Sequence, residues 1–523
     1  MNLNKTYAGN NVPKATKWIY SSSNMFRDAC YNLVAMFYLA YVQFSGILSK
    51  DAASYAAQFA VIGIIVIIAR IWDGLNDPIM GWIVEKCHFK MGKYKPWILI
   101  GGVTNAIVIF LMFYCRPEGW WGVLAFGLFY FLWDFTFTMN DIGYWSMLPS
   151  LTSDAKQRNN ITTLVNLFSG LGSLAVIAYV NLKVAGQQAS TYITVALVTS
   201  VLYLLSQVLV FFLCHEHERD DSLNSRPEEA KFTDMFKLLK TNSQLRVVVI
   251  TLLVFYLGSG ILNLFGQGFF WFNYGYGQEY GGAAMTFFLA CYALASLASN
   301  GLFALLNKKF NRMQLIKLVT IIAIIAYILF FIYDLKIGGV TLGLKTPVNT
   351  AFSLIDIGIL MVLGFIIFTC QSIFYLVLLV MMTNTIEYNE WKDGERKESQ
   401  IFSLRPFTVK IADAIKQGVY TLTFVITGLT GLSTQISDLE NKQKLGELTT
   451  QEVVDQVAPL VAAIPDASLI TYKAIMTLLP ALLFVICYFI LRKYYKIDEK
   501  TYDIYCKDIE ARKAKQVEKK VSA

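Results

Sequence analysis

About twelve runs of predominantly apolar residues, each near the roughly 20 needed to cross a bilayer, divide this chain. Lipid offers no partner for backbone N–H and C=O groups, so a spanning run of this kind must satisfy them internally as a helix. The expected fold class is an all-α membrane protein with twelve transmembrane helices, its partner the lipid bilayer. Composition agrees: 55% of the 523 residues are hydrophobic and 16% charged, with a mean hydropathy of +0.48. A net charge of +8 would direct a soluble protein toward nucleic acid. Here it is expected to come from cytoplasmic loops rich in Lys and Arg, with no nucleic-acid partner. Eight scattered cysteines without a CxxC pair indicate neither a disulfide framework nor a zinc site. The polar N-terminus, MNLNKTYAGNNVPKATKW, lacks the core and cleavage site of a signal peptide, so the first span is expected to serve as an uncleaved signal.

The longest interior hydrophilic stretch, His215 to about Arg246, leaves about six spans on each side. The expected organisation is a first bundle at 1–214, a cytoplasmic connector at 215–246 and a second bundle at 247–494, with a tail at 495–523. The basic loop NKKFNRM (Asn307 to Met313) sits in the second half where the Lys-rich loop Lys86 to Lys95 sits in the first. Such pseudo-symmetry is typical of transporters built from two six-helix halves. Basic loops place the N- and C-termini in the cytoplasm of a plasma-membrane protein. The stretch NTIEYNEWKDGERKESQ after span ten reads as another charged cytoplasmic loop. HEHE at 215–218 has metal-binding residue types, but its plain reading is a connector. The insert at 433–468 contains EVVDQVAPLVAAI, the pattern of a helix lying on the outer surface.

Charges inside the spans carry the functional reading, because an ionisable group at membrane depth is costly and usually functional. In span two, Arg70, Asp73 and Asp77 fall at i, i+3, i+7 on one helix face, with Asn76 beside them. Carboxylate and amide oxygens are hard ligands that suit a small cation; a structural ion-pair cluster would use the same residues. In span four, Asp134, Thr138, Asp141 and Trp145 form a polar stripe at i, i+4, i+7, i+11. Span one carries Arg27 and Asp28, and span eleven carries Arg405, Lys410, Asp413 and Lys416. No histidine lies in a span, so a coupling ion or proton must be held by aspartates. Asp28 and Asp141 can accept hydrogen bonds from hydroxyls and Trp145 can stack on a sugar ring, a set that suits a sugar. No nucleophile, metal cluster or general-base constellation marks an enzyme.

At these residues the sequence resembles a known family. RIWDGLNDPIMGWIVEKCHFKMGKYKPWILIGG, TMNDIGYWSMLPSLTSD and IEYNEWKDGERKES are similar to segments of the glycoside–pentoside–hexuronide:cation symporters of the major facilitator superfamily, melibiose permease among them. The resemblance implies twelve helices in two pseudo-symmetric six-helix bundles and sugar import driven by Na⁺ or H⁺, with alternating access and no cofactor. It implies a cation site at Asp73, Asn76, Asp77 and Thr138. It implies a sugar site at Asp28, Asp141 and Trp145, with Arg27 and Tyr375 at further sugar-site positions and Lys410 linking the two sites. The chain departs from the family at Asn166, where an arginine is expected, at Asp134, and at Arg405 and Pro406. The changes at Asn166 and Arg405 move positive charge around the sugar, so a proton-only symporter of an acidic sugar is the alternative expectation. A membrane sugar sensor that moves nothing would look similar.

Overall fold

The structure is a computed structural model. It describes residues 12–87, 89, 91–152, 155–216, 232–277, 281–333, 335–337, 340–342, 354–394 and 398–521. Helices α1 (Lys14–Phe44), α2 (Ala52–Lys86), α3 (Lys95–Tyr114), α4 (Trp120–Leu151), α5 (Ala155–Lys183) and α6 (Gln188–Leu213) make up the first half. The second half runs through α7 (Phe232–Thr241), α8 (Ser243–Tyr274), α9 (Ala283–Leu306), α10 (Arg312–Ile332), α11 (Leu354–Asp393) and α12 (Glu398–Ile426). It continues with α13 (Leu429–Lys444), α14 (Thr450–Ala462), α15 (Asp466–Tyr494) and α16 (Glu499–Val521). The small hairpin of β1 (Leu335–Ile337) and β2 (Val340–Leu342) lies between α10 and α11.

Ten of these helices are long and apolar enough by themselves to cross a bilayer. α12 meets the same test only together with α13, since Arg405, Lys410, Asp413 and Lys416 dilute its apolar surface. α1 is 31 residues long, enough to span, and is diluted by its serines, Arg27 and Asp28. Among the described residues ten helices pass on their own, and α12 and α1 have the length with more polar surface.

The chain packs as two units. The first contains residues up to Ser225, together with Gln267–Thr286 and Gln417–Leu469; the second contains the remainder. In the first, α1 packs on α5 and α6, α3 on α4 and α6, α2 on α4, and α13 on α1, α2 and α6. Without a hydrophobic drive between helices in lipid, close backbone approach and interhelical hydrogen bonds hold such seams. At the α1–α5 seam, a Cβ on Gly172 would run into the Met25 carbonyl. Between α3, α4 and α6, buried Asn140 donates to the Ile98 carbonyl at 2.8 Å and to Gln207 at 3.1 Å. Asn105 donates to the Trp133 carbonyl at 3.0 Å and to Thr136 at 2.8 Å. Tyr20 of α1 and Tyr144 of α4 stack at 4.3 Å, each hydroxyl donating to the other's carbonyl, at 2.5 and 2.6 Å.

In the second unit α10 packs on α11 and α11 on α16. Phe255, Phe374 and Phe484, from α8, α11 and α15, form a triangle of rings 5.3 to 5.5 Å apart. Gln371 of α11 donates to the Tyr327 hydroxyl of α10 at 2.7 Å.

One segment differs from the sequence reading, and three gain structure that it did not specify. The charged stretch after span ten is no loop at its start: α11 runs 40 residues, through Asp393. Its end is held by α16, where Asp508 accepts from the Trp391 indole at 3.0 Å and Arg512 donates to the Trp391 carbonyl at 2.7 Å. The tail is thus helical. The connector contains α7 and the start of α8, and Glu216 of HEHE is an anion cap. It accepts the backbone N–H groups of Lys93, Tyr94 and Lys95, at 2.8, 3.0 and 2.6 Å, where α3 begins; His217 and Glu218 lie outside the described residues. The insert is two helices. Gly428 adopts φ +70°, the left-handed conformation glycine reaches without a Cβ penalty, and α13 leaves α12 at 91°.

Candidate functional site

α1 presents Arg27 and Asp28 to α4 and α5. Arg27 is 3% exposed and lies between two carboxylates, with Nη1 at 3.0 Å from Asp141 Oδ1 and Nε at 3.4 Å from Asp28 Oδ1. Its guanidinium covers the Tyr144 ring at 4.3 Å and approaches Trp145 at 5.6 Å. The reciprocal Tyr20–Tyr144 stack therefore builds the floor on which Arg27 rests, and cation–π attraction adds to the two ion pairs. Asp28 is held from its other side. Asn24, one turn back on α1, donates to Oδ2 at 3.1 Å, and the Ser169 hydroxyl of α5 also donates to Oδ2. Asn32 donates to the Asp28 carbonyl at 2.8 Å and to Ser173 at 2.9 Å, tying the same stretch to α5. Asp141 and Trp145 are the open members, each with 36% of the side chain exposed. Asn166 is exposed on α5, one turn before Ser169 on the same face.

The second cluster lies between α2 and α4. Arg70 Nη1 is 3.8 Å from Asp73 Oδ2, and Asn76 donates to Asp134 Oδ2 at 3.4 Å. Asp73, Asn76, Asp134 and Thr138 are all buried, and Asp77 is half-buried one turn beyond Asp73. The buried Asn76 Oδ1 accepts no hydrogen bond. Asp73, Asp77 and Asp134 are three carboxylates on these two helices, a charge set that is costly to bury unless it is paired. Among the described residues no three acidic, histidine or cysteine side chains converge as a metal cage would need. The donors suited to a small cation here are two carboxylates, an amide oxygen and a hydroxyl.

An aromatic wall joins the clusters. Arg27 approaches Phe137 at 6.0 Å, and Phe137 packs on Tyr31 at 4.8 Å. Tyr31 packs on Trp133 at 5.6 Å, Trp133 on Tyr130 at 5.3 Å, and Arg70 lies 5.7 Å from the Tyr130 ring. The eight candidates Arg27, Asp28, Asp73, Asn76, Asp77, Thr138, Asp141 and Trp145 all belong to the first unit; Arg27 with Asp28 and Asp141 lies at one end of this run of contacts and Arg70 with Asp73 at the other. The other three belong to the second unit. Lys410 is half-buried, Arg405 is exposed, and Tyr375 packs on Phe255 and Tyr256 at 6.1 and 5.7 Å. Within α12, Asp413 pairs with Lys416 at 2.5 Å.

Sequence reasoning did not single out Asn24, Asn32, Tyr144, Ser169 or Ser173. Asn24 had a legible signal, four residues before Asp28 on one helix. Ser169 had none, since 141 residues separate it from Asp28.

The family model described as "MFS/sugar transport protein" matches residues 19–499. The chain belongs to this family. In agreement with the glycoside–pentoside–hexuronide:cation symporter resemblance, its relatives include a raffinose carrier protein of Pediococcus pentosaceus, 24% identical over 79% of the chain and 62% of that protein. A lactose permease of Lactobacillus helveticus is 26% identical over 80% of the chain and 64% of that protein. The chain thus spans under two thirds of the length of these carriers. A putative glycoside/cation symporter of Escherichia coli K12 is 23% identical over 78% of the chain and 82% of that protein. Among solved structures, a bacterial homologue of the lysosomal transporter Spinster, inward-facing and unoccupied, matches with a TM-score of 0.59. It is 13% identical and covers 92% of this chain and 97% of that one. A nucleoside transporter matches at 0.54 with 13% identity, over 86% of this chain and 98% of that one. These likenesses carry the fold: this MFS/sugar transport family member is an all-α membrane protein of the major facilitator type, with ten to eleven apolar spans among the described residues.

Proposed function

We propose that this protein is a secondary active transporter, not an enzyme, that imports a neutral glycoside by symport with Na⁺ or H⁺. Its place is the plasma membrane, with both termini in the cytoplasm and the α13–α14 insert outside. Family membership and the relatives' names support sugar symport. The observation that carries the reading is the pair of carboxylate clusters on α1, α2 and α4, joined by one aromatic wall.

Asp141 and Trp145, the open members of the first cluster, would take the sugar, Asp141 accepting hydroxyl protons and Trp145 stacking on the ring's C–H face. Asp28 and Arg27 complete this cluster; Lys410, Tyr375 and Arg405, which belong to the second unit, are proposed sugar-site positions only by the family resemblance. Asp73, Asn76, Asp77 and Thr138 would hold the coupling cation. A cation there would offset carboxylate charge, and in alternating access ion and sugar binding would favour each other. Within the first unit Arg27 is shared by two carboxylates and Asn166 supplies no charge, which supports a neutral sugar; the cations Arg405 and Lys410 are what an acidic sugar would need.

The test is uptake into proteoliposomes of a panel of labelled neutral glycosides and uronides, under an imposed Na⁺ or H⁺ gradient. Gradient-driven accumulation of a neutral glycoside, abolished by Asp77→Asn, is the expected result. Accumulation of uronides alone would overturn the neutral-sugar reading. Accumulation untouched by Asp77→Asn would remove the cation site.

A further inference from the structure

α13 carries a carboxylate that the site above does not use. Glu440 is 1% exposed, and three donors from two other parts of the first unit reach it. The backbone N–H groups of Gly186 and Gln188, between α5 and α6, donate at 2.8 and 2.7 Å. The Tyr276 hydroxyl, from the loop after α8, donates at 2.5 Å, and the Gln188 side chain donates to that hydroxyl at 2.9 Å. The rest of α13 is held nearer its edges. Gly46 N–H donates to Ser437 at 2.6 Å and Gln43 to Ser433 at 3.0 Å. Asp438 pairs with Lys50 at 3.0 Å and Lys442 at 2.9 Å.

α13 therefore straps together chain ends from both halves of the sequence: α1 and α6 from the first, the end of α8 from the second. Any state in which those ends part must bring Glu440 into water.

We propose that Glu440 is a proton-binding site, and that proton uptake there stabilises the strapped position of α13 while proton loss favours its release. Strapping takes the carboxyl out of water, and burying a carboxylate costs more than burying the neutral acid. The groups facing Glu440 are Tyr276, Tyr192 of α6 and, from the α3–α4 loop, the cation Arg116; Lys442 and Lys444 lie on α13 itself. The three donors and Arg116 pull the carboxyl down. Burial outweighs them and raises it from 4.5 to about 7. A released, hydrated Glu440 returns to the ordinary value. The strapped state thus has the higher pKa, so its added stability is complete below the ordinary carboxylate value and is lost as pH rises through about 7. The proton comes from solvent as the strap closes and returns to it on release.

Hydrogen exchange on the full-length protein in nanodiscs tests this, reading the Gly186–Gln188 turn and α13 between pH 5 and 9, with rates corrected for intrinsic pH dependence. Wild-type protection should fall at least about tenfold across neutral pH, within a ceiling of roughly 300-fold set by the displacement from 4.5 to about 7. Glu440→Gln, neutral throughout, should show no such fall. Tyr276→Phe removes a donor to the carboxylate and should move the wild-type midpoint to higher pH, which keeps the idea testable if the first variant does not fold. Equal pH profiles in wild type and Glu440→Gln, better protection at alkaline pH, or an unmoved midpoint in Tyr276→Phe would each overturn it. No arm uses a sugar or an ion gradient, so the outcome is independent of the transport assignment.

Discussion

Arg27 concentrates most of what single residues do in this protein. It is nearly inaccessible, paired with two aspartates and seated on Tyr144. Asp141→Asn leaves it one carboxylate partner and takes a charged acceptor from the proposed sugar site. Hydrogen bonds to charged groups are worth about 1.5–3 kcal/mol, so apparent sugar affinity should fall about 10- to 100-fold. Equilibrium binding to purified variant, with an unchanged helical circular-dichroism signal, measures it. Ser169→Ala removes a neutral donor from Asp28, a group that stays paired with Arg27. The expected loss is smaller, about 0.5–1.5 kcal/mol or 2- to 10-fold, and Ser169→Thr should restore it. A Ser169→Ala variant weaker than Asp141→Asn would mean that Asp28 rather than Asp141 is the principal sugar acceptor.

Between elements, what matters is how closely two helices approach. The α1–α5 seam has room for a hydrogen at Gly172 and nothing larger. Gly172→Ala should cost about 1–3 kcal/mol as an overpacking change, read as a lower unfolding midpoint in detergent. The same seam carries the Ser169–Asp28 and Asn32–Ser173 bonds, so sugar binding should weaken along with stability. Equal stability to wild type would show that the two backbones move apart freely. Tyr20→Phe tests the α1–α4 contact. It removes the hydroxyl's bond to the Tyr144 carbonyl, which keeps its helical partner, at about 0.5–1.5 kcal/mol, while the ring stack survives. Its sugar affinity should drop less than that of Tyr144→Ala, which removes the surface under Arg27.

For the molecule as a whole, coupling is a statement about free energy. If the α2–α4 cluster holds the ion and the α1–α4 cluster holds the sugar, each ligand must change the other's affinity by one common factor. Calorimetric titration of sugar with and without ion, and of ion with and without sugar, should return equal ratios; such couplings are typically about 5- to 150-fold. Asp73→Asn should bring the ratio toward one while leaving sugar binding measurable, since Asp73 lies at the far end of the aromatic wall. A ratio unchanged in that variant would place the ion elsewhere.

The sequence by itself determined the class of fold and which ionisable groups lie within the apolar spans. Runs of about twenty apolar residues have one way to satisfy their backbone in lipid, and Asp73, Asp77, Asp134 and Asp141 stood out because ionisable residues are rare at that depth. Helical periodicity also placed Asp73 with Arg70, and Asp134 with Asp141, on common faces. Only the tertiary structure decided which aspartate meets which partner. Arg27 to Asp141, Ser169 to Asp28 and Asn76 to Asp134 are contacts between different helices, and no local period encodes them. The same holds for α11, which runs on as helix through Asp393 because α16 packs against it, and for Glu440. Its chain position marks it as one more polar residue of an insert, and only the folded ends of α6 and α8 enclose it. Local spacing settles what each helix carries; packing between distant segments settles what those groups can bind.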